Sequence, residues 1–335
     1  MCSVIKWSDN GVAVVVGRSM DFLRDLENNL WLFPRGMDRE GLAGRNSLAW
    51  TSKYGSVITA GFDICSVDGM NENGLGGHML WLAETDYGKR DESIPGLSLS
   101  LWLQYFLDNF ASVNEAVDFV QNHPFQVLPL KVPGVSGTHS VAEVHLLIED
   151  FSGDGAVMEY RDGGKLTIYH DKQYNVMTNS PTFDKQLENL KQYKGFGGDK
   201  YLPGSTDAAD RFVRGAYYQK SLPEKATNTR EAVAGILGVV RNVSEPFVDR
   251  SFIDPLKPNI SPTLWRTVCD LTNKVYYYES TTSPNLIWVR FDELDFSQGA
   301  PVKKIDLVKE PDRVGNVSSE FKNAGPFEWG KPAMT

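Results

Sequence analysis

The sequence predicts a layered α+β domain. Short β-rich runs open the chain, helix-periodic stretches follow, and strands, helices and strands then alternate to residue 291. Residues 3–7 and 12–17 are β-rich runs around Ser8-Asp9-Asn10-Gly11, and Asn-Gly between such runs predicts a tight hairpin. Residues 31–36 form an extended piece closed by a turn, and 47–51 and 56–60 read as strands around Lys53-Tyr54-Gly55. The turn-rich segment 68–74 feeds a glycine-punctuated strand at 75–82, a place where another backbone or a ligand comes close.

Residues 97–110 follow Pro95-Gly96 and are apolar on most faces, which predicts a helix buried between layers. Ser112-Val113-Asn114-Glu115 is a capping box that opens a second helix, stopped by Pro124. Residues 127–138 read as a Pro/Gly-rich loop long enough to line a site. Strands are predicted at 141–148, 156–160, 165–169 and 174–178, the last ending in Asn179-Ser180-Pro181, where proline fixes a turn under the Asn179 amide. Helices follow at 183–193, 206–219 and 229–240, with Arg211 and Arg214 sharing a face of the second. Strands at 264–269, 275–279 and 286–291 complete the fold, and from Gly299 a polar, proline-bearing segment wraps the surface. The Gly195-Phe196-Gly197-Gly198 stretch lacks the Lys-Ser/Thr of a phosphate loop and reads as a plain loop.

With 335 residues the chain is long enough to bury a sizeable core, and its formal net charge of -9 argues against a nucleic-acid partner. No apolar run of about eighteen residues is present, so no membrane partner is expected. No charged segment followed by an apolar stretch opens the chain, so the expectation is cytoplasmic, or periplasmic for a mature form that has lost its signal. Three cysteines, Cys2, Cys65 and Cys269, lack pair spacing, and five histidines are dispersed, so neither a metal nor a cofactor is expected.

The chemistry centres on Cys2. Once Met1 is removed, one residue carries both a thiol and a free α-amine, a nucleophile with its own base. The hairpin brings Cys2 near Arg18 and Asp21 at the end of the partner strand. A carboxylate there holds an α-ammonium, and an arginine favours a thiolate. Met20, Phe22 and Trp81 are candidates for the apolar wall of an acyl pocket.

Met1-Cys2, Gly17-Arg18-Ser19-Met20-Asp21, Asp68-Gly69-Met70-Asn71-Glu72, 176–183 (Val-Met-Thr-Asn-Ser-Pro-Thr-Phe), Asp210-Arg211-Phe212-Val213-Arg214 and Ser261-Pro262-Thr263-Leu264-Trp265-Arg266 occur in this order. Together they resemble the choloylglycine hydrolase family, which contains penicillin V acylases and conjugated bile salt hydrolases. The resemblance implies the four-layer αββα N-terminal-nucleophile hydrolase fold, with two stacked antiparallel sheets between helices. It implies a catalytic domain at 1–298, a C-terminal extension at 299–335, a homotetramer and a small-molecule amide substrate. It further implies that Cys2 is the nucleophile, that Asp21 orients its amine, that Arg18 sits beside the thiol, and that Arg211 buttresses the site. Asn179 and the main-chain N–H of Trp81 would form the oxyanion hole. Many bile salt hydrolases carry asparagine where this chain has Trp81. Leu80-Trp81-Leu82-Ala83-Glu84, with the short spacing between Asn179 and Arg211, is most similar to Gram-negative penicillin V acylases. Phenoxyacetyl amides, N-acyl homoserine lactones and, as the alternative, conjugated bile salts are the implied substrates.

Two rival readings are weaker. Cys2, His145 and Asn179 occur in the order of a papain-like cysteine protease, but no Cys-Gly-Ser/Ala-Cys signature surrounds Cys2, and His145 falls in a β-rich run. A non-catalytic binding module would require Met1 to stay attached.

Overall fold

The computed structural model describes residues 2–133, 139–247, 261–283 and 285–333. Two large sheets organise them. The first has seven strands, in the order Val176–Thr178, Cys2–Trp7, Val15–Asp21, Thr263–Asp270, Val275–Ser280, Leu286–Arg290 and Gly315–Asn316. The second has nine, in the order Lys165–His170, Gly155–Arg161, Val144–Asp150, Leu75–Trp81, Cys65–Asn71, Ser56–Gly61, Leu30–Phe33, Lys303–Ile305 and Lys322–Asn323. Both are antiparallel apart from the short parallel contact of Gly315–Asn316 with Leu286–Arg290.

The sheets stack face to face. Helices Ala208–Lys220 and Thr229–Val243 pack on the outer face of the first sheet, and Trp102–Asn109 and Val113–Asn122 on that of the second. This is the four-layer α+β architecture the resemblance implied. Covered on both faces, Cys2–Trp7 and Val15–Asp21 are buried along their whole lengths. Gly17 lets a helix approach the sheet: a Cβ there would lie 2.6 Å from the Val240 side chain. Ile236, Val240 and Val243 are fully buried on that helix, each worth about 1.5–3 kcal/mol of transfer free energy.

Several boundaries differ from the sequence expectation. The hairpin does not turn tightly at Asn10-Gly11, because the second strand begins only at Val15. Asn10 instead organises a wider loop, donating from Nδ2 to the Trp7 and Ala13 carbonyls and accepting from the Val12 and Ala13 N–H groups. The apolar stretch from residue 97 is not all helix. Gly96–Ser98 pairs in parallel with Gln126–Leu128, a 3-10 turn spans Leu99–Leu101, and the α-helix starts at Trp102. Residues 127–133 are largely strand rather than loop, while 134–138 lie outside the described residues. The strand expected at 141–148 is interrupted at Ala142-Glu143, splitting His139–Val141 from Val144–Asp150. The Ser112 cap is formed, with Ser112 Oγ accepting from Glu115 N, while the Glu115 carboxylate reaches back one residue further, to Ala111 N. The C-terminal stretch adds strands to both sheets, and Phe327 packs edge-on against Trp31 and Phe33. Among the described residues no helix is long and apolar enough to cross a membrane.

Candidate active site

Cys2 begins a strand whose neighbours are Val176–Thr178 on one side and Val15–Asp21 on the other. The register with the second neighbour decides which residues meet the thiol. A two-residue turn at Asn10-Gly11 would pair Cys2 with Ser19 and send Arg18 to the opposite face. The wider Asn10 loop sets Cys2 opposite Met20 and Val4 opposite Arg18, so both side chains share the sulfur's face.

That face looks into the space between the sheets. Arg18 is fully buried there. Its Nη2 lies 3.7 Å from Cys2 Sγ and donates to Met79 O at 2.8 Å, and its Nη1 donates to Val67 O at 2.6 Å and Asp68 Oδ2 at 3.0 Å. Burial opposes the guanidinium charge, but a Cys2 thiolate and Asp68 outweigh it and raise the pKa above its usual value. Asp68 accepts further bonds from His78 Nδ1 (2.6 Å), Thr267 Oγ1 (3.2 Å) and Tyr276 Oη. Burial pushes the Asp68 carboxyl up, yet His78, Arg18 and Tyr276 together hold it below the usual carboxylate range. Beyond His78 lies Glu149, 3.5 Å from Nε2, which burial pushes up to about 7. Lys6, whose ammonium burial disfavours, ends the series with Nζ on Gly153 O at 2.7 Å. A row of alternating acidic and basic groups thus runs between the sheets from the thiol to Lys6.

The opposite face serves the Cys2 main chain. Strand Val176–Thr178 pairs Thr178 with Ser3 and leaves Asn179 at the end of the nucleophile's strand. Asn179 Oδ1 accepts from Cys2 N and from Arg211 Nη2 (3.0 Å), and Nδ2 donates to Trp81 O at 2.7 Å. Leu82 N donates the other way, to Glu143 O. Groups of one strand residue point to one side, so the Trp81 N–H faces Asn179 along with its carbonyl. Arg211 projects from its helix onto Cys2 O (2.7 Å) and Ser3 Oγ (2.5 Å), and lies 3.7 Å from Asp21 Oδ2. Asp21 is fully buried one residue beyond Met20, which faces Cys2.

A cavity of about 90 Å3 opens at Cys2, lined by Met20, Phe22, Phe62, Met79, Trp81 and Val144 among others. Phe22 and Phe62 meet edge to face at 6.4 Å. Leu130 and Val132 from the expected site-lining segment also reach it. A larger cavity of about 480 Å3, between Lys172, Phe183 and Lys220, contains no thiol and none of these groups.

The sequence-predicted residues therefore converge: Arg18 on the sulfur, Asn179 and Arg211 on the main chain, Asp21 beside them, and Met20, Phe22 and Trp81 around the opening. His145 does not join them. It is buried with Nδ1 on Glu159 Oε1 at 3.2 Å, and the same oxygen accepts Phe183 N, so the pair braces the turn after Asn179. The other thiols are held protonated: burial pushes Cys65, on the wall of the same cavity, up to about 12, and burial with the nearby Asp68 and Glu149 charges pushes Cys269 well up. Asp68, His78, Glu149 and Lys6 were missed as a group. Their signal was weak: charged residues at inward positions of otherwise apolar strands. Among the described residues no group of three or more His, Cys, Asp or Glu could hold a metal.

Comparison with known proteins shows the family and the fold. The family model for linear amide C–N hydrolases, choloylglycine hydrolase family, matches residues 2–307. A penicillin V acylase of Pectobacterium atrosepticum is 42% identical, covering 94% of this chain and 88% of that protein. The structure of penicillin V acylase from Agrobacterium tumefaciens superposes with a TM-score of 0.87 at 43% identity, covering 98% and 99% of the two chains. A conjugated bile acid hydrolase from Clostridium perfringens shares the fold, with a TM-score of 0.74 at 23% identity and coverage of 91% and 96%.

Proposed function

Because this chain belongs to the choloylglycine hydrolase family of linear amide C–N hydrolases, we propose that it is a cysteine acylase activated by removal of Met1, with Cys2 as nucleophile and a compact apolar acyl group as its preferred cargo. The observation that carries this reading is the placement of Cys2 Sγ, 3.7 Å from a buried arginine, at the mouth of a small pocket walled by Met20, Phe22 and Trp81.

The freed α-amine takes the thiol proton, and Arg18 favours the thiolate left behind. The sulfur attacks the acyl carbon, forming a C–S bond and an oxyanion. The second N–H of Asn179 Nδ2 and the Trp81 main-chain N–H receive that charge. The C–N bond then breaks, the α-ammonium gives its proton to the departing amine, and an acyl thioester remains. Water, deprotonated by the same amine, releases the acid. Arg211 and Asp21 hold the Cys2 main chain through these steps. Loss of the Asn179 donor in Asn179→Ala should lower kcat on the order of a hundred- to a thousand-fold, read by steady-state hydrolysis.

A cavity of about 90 Å3 walled by Phe22, Phe62 and Trp81 supports a single aryl ring or an unbranched acyl chain ahead of a four-ring steroid. Phenoxyacetyl amides and N-acyl homoserine lactones thus rank ahead of conjugated bile salts. Intact mass to confirm Met1 loss, followed by hydrolysis of penicillin V, an acyl homoserine lactone and glycodeoxycholate, tests this. Preference for penicillin V or the lactone supports the reading. A preference for glycodeoxycholate would replace it with the bile salt alternative, and no cleavage by Met1-free protein would overturn the substrate class. A homotetramer, proposed on the family resemblance, is checked by light scattering.

A further inference from the structure

Two observations converge on Thr263, a residue with no part in the chemistry above. The strand Thr263–Asp270 pairs regularly with Val15–Asp21 from Asp270 opposite Val15 to Trp265 opposite Met20. There the register shifts, and Asp21 faces Thr263 rather than Leu264. Uninterrupted pairing would set a leucine against a buried carboxylate. The bulge removes it and substitutes a hydroxyl, the kind of re-aiming that bulges beside active sites perform.

The second observation is the direction of the hydrogen bonds that result. Thr263 Oγ1 donates to Asp21 Oδ1 at 2.5 Å, with both residues essentially fully buried. The same oxygen accepts from Glu245 N at 2.9 Å, and Thr263 N donates back to Glu245 O at 3.2 Å. A hydroxyl has one proton to give, and the Glu245 N–H occupies an acceptor position, so the proton is directed at Asp21. The other oxygen, Oδ2, lies 3.4 Å from Ser19 Oγ and 3.7 Å from Arg211 Nη1. The short bond from Thr263 anchors Oδ1 and so constrains the rotation of the carboxylate.

We propose that Thr263 is a positioning residue for the hydrolysis: its hydroxyl sets the Asp21 carboxylate in the orientation that holds the α-amine of Cys2. The inference rests on the reading of Cys2 as an N-terminal nucleophile with Asp21 at its amine. Thr263→Val keeps the shape and removes the donor, whereas Thr263→Ser keeps the donor and removes the methyl.

The test compares Thr263→Val, Thr263→Ser and Asp21→Asn, each shown by intact mass to lack Met1 and by thermal melting to be folded. Expected for Thr263→Val is a kcat lower by roughly ten- to a hundred-fold with KM within about twofold, as for loss of a group acting only during the chemical step. Thr263→Ser should recover kcat to within about threefold of the parent. If valine disrupts the bulge and the protein does not fold, Thr263→Ala compared with Thr263→Ser asks the same question with less bulk. Parent-like kcat in the valine or alanine variant, alongside a crippled Asp21→Asn, would overturn the role of Thr263 while leaving that of Asp21 standing. A serine variant as impaired as the valine variant would also overturn it, because the methyl would then be what matters. An active Asp21→Asn would instead remove the reading of Asp21 itself.

Discussion

Two buried arginine–aspartate pairs lie in different layers of this molecule, and their likeness makes their difference informative. Arg18 meets Asp68 at 3.0 Å between the sheets, and Arg39 meets Asp108 at 3.1 Å beneath the helix Trp102–Asn109. Arg39 has aromatic company, with its guanidinium carbon 4.8 Å from the Phe33 ring centre and 5.2 Å from that of Trp329. Asp108 accepts Trp50 Nε1 and Gln104 Nε2 as well, yet burial still pushes its carboxyl up. That pair knits strand, helix and C-terminal segment together. Arg18 turns Nη2 toward two sulfurs, Cys2 Sγ at 3.7 Å and Met20 Sδ at 3.6 Å, and Asp68 is held below its usual value by His78, Arg18 and Tyr276. A buried ion pair alone says little about function, and what its remaining donor points at says more.

The comparison breaks most visibly in turnover. Arg18→Gln should lower kcat on the order of a hundred-fold, because the thiolate loses its adjacent cation. Arg39→Gln should leave kcat of the folded fraction unchanged while costing about 3–5 kcal/mol in urea unfolding, since a buried carboxylate loses its partner. Equal losses of kcat in the two variants would erase the distinction. The aspartates sharpen it. In Asp68→Asn the field of Arg18 is no longer offset and falls on Cys2, so iodoacetamide should alkylate Cys2 near neutral pH roughly tenfold faster. Asp108→Asn should leave that rate unchanged.

Much of the site was readable before the fold was known, because Cys2, Arg18, Asp21, Asn179 and Arg211 each sit in a local sequence pattern, the first and fourth at strand ends, the second and third on the partner strand and the last on a helix. Register was not readable. Asn10-Gly11 has the composition of a tight turn, and only the side-chain bonds of Asn10 reveal the wider loop that turns Arg18 to the face of the thiol. The helix expected from residue 97 began late for a related reason: a short apolar run fits a buried strand as well as a buried helix, and the partner strand Gln126–Leu128 decided it. Asp68, His78, Glu149 and Lys6 come from four strands, and each alone looks like an ordinary charged residue. Strand pairing within the nine-stranded sheet sets Asp68 opposite His78 with Glu149 on the next strand, and stacking the other sheet on it brings Lys6 to them.

That row of charges has a stability signature, smaller than the effects above. Burial raises Glu149 from 4.5 to about 7, so the folded state keeps a proton that the unfolded chain has released. Stability attributable to this group should therefore fall as pH rises from about 4.5 to about 7. Glu149→Gln should flatten the curve of urea-unfolding free energy against pH in that window. Glu245, also raised to about 7, contributes a slope of the same sign, so the curve should not become level. An unchanged slope would mean that Glu149 titrates normally in the fold. The smallest effect belongs to His145, whose bond to Glu159 resembles the structural pair: His145→Asn should keep turnover within about threefold of the parent in hydrolysis assays.

The account depends above all on Cys2 acting as a free N-terminal nucleophile. Intact-mass spectrometry of enzyme acid-quenched during penicillin V turnover tests this most directly. The account predicts a chain without Met1 that carries a phenoxyacetyl adduct on Cys2, with both adduct and turnover absent in Cys2→Ala. Turnover by a chain that retains Met1, or by Cys2→Ala, would contradict it.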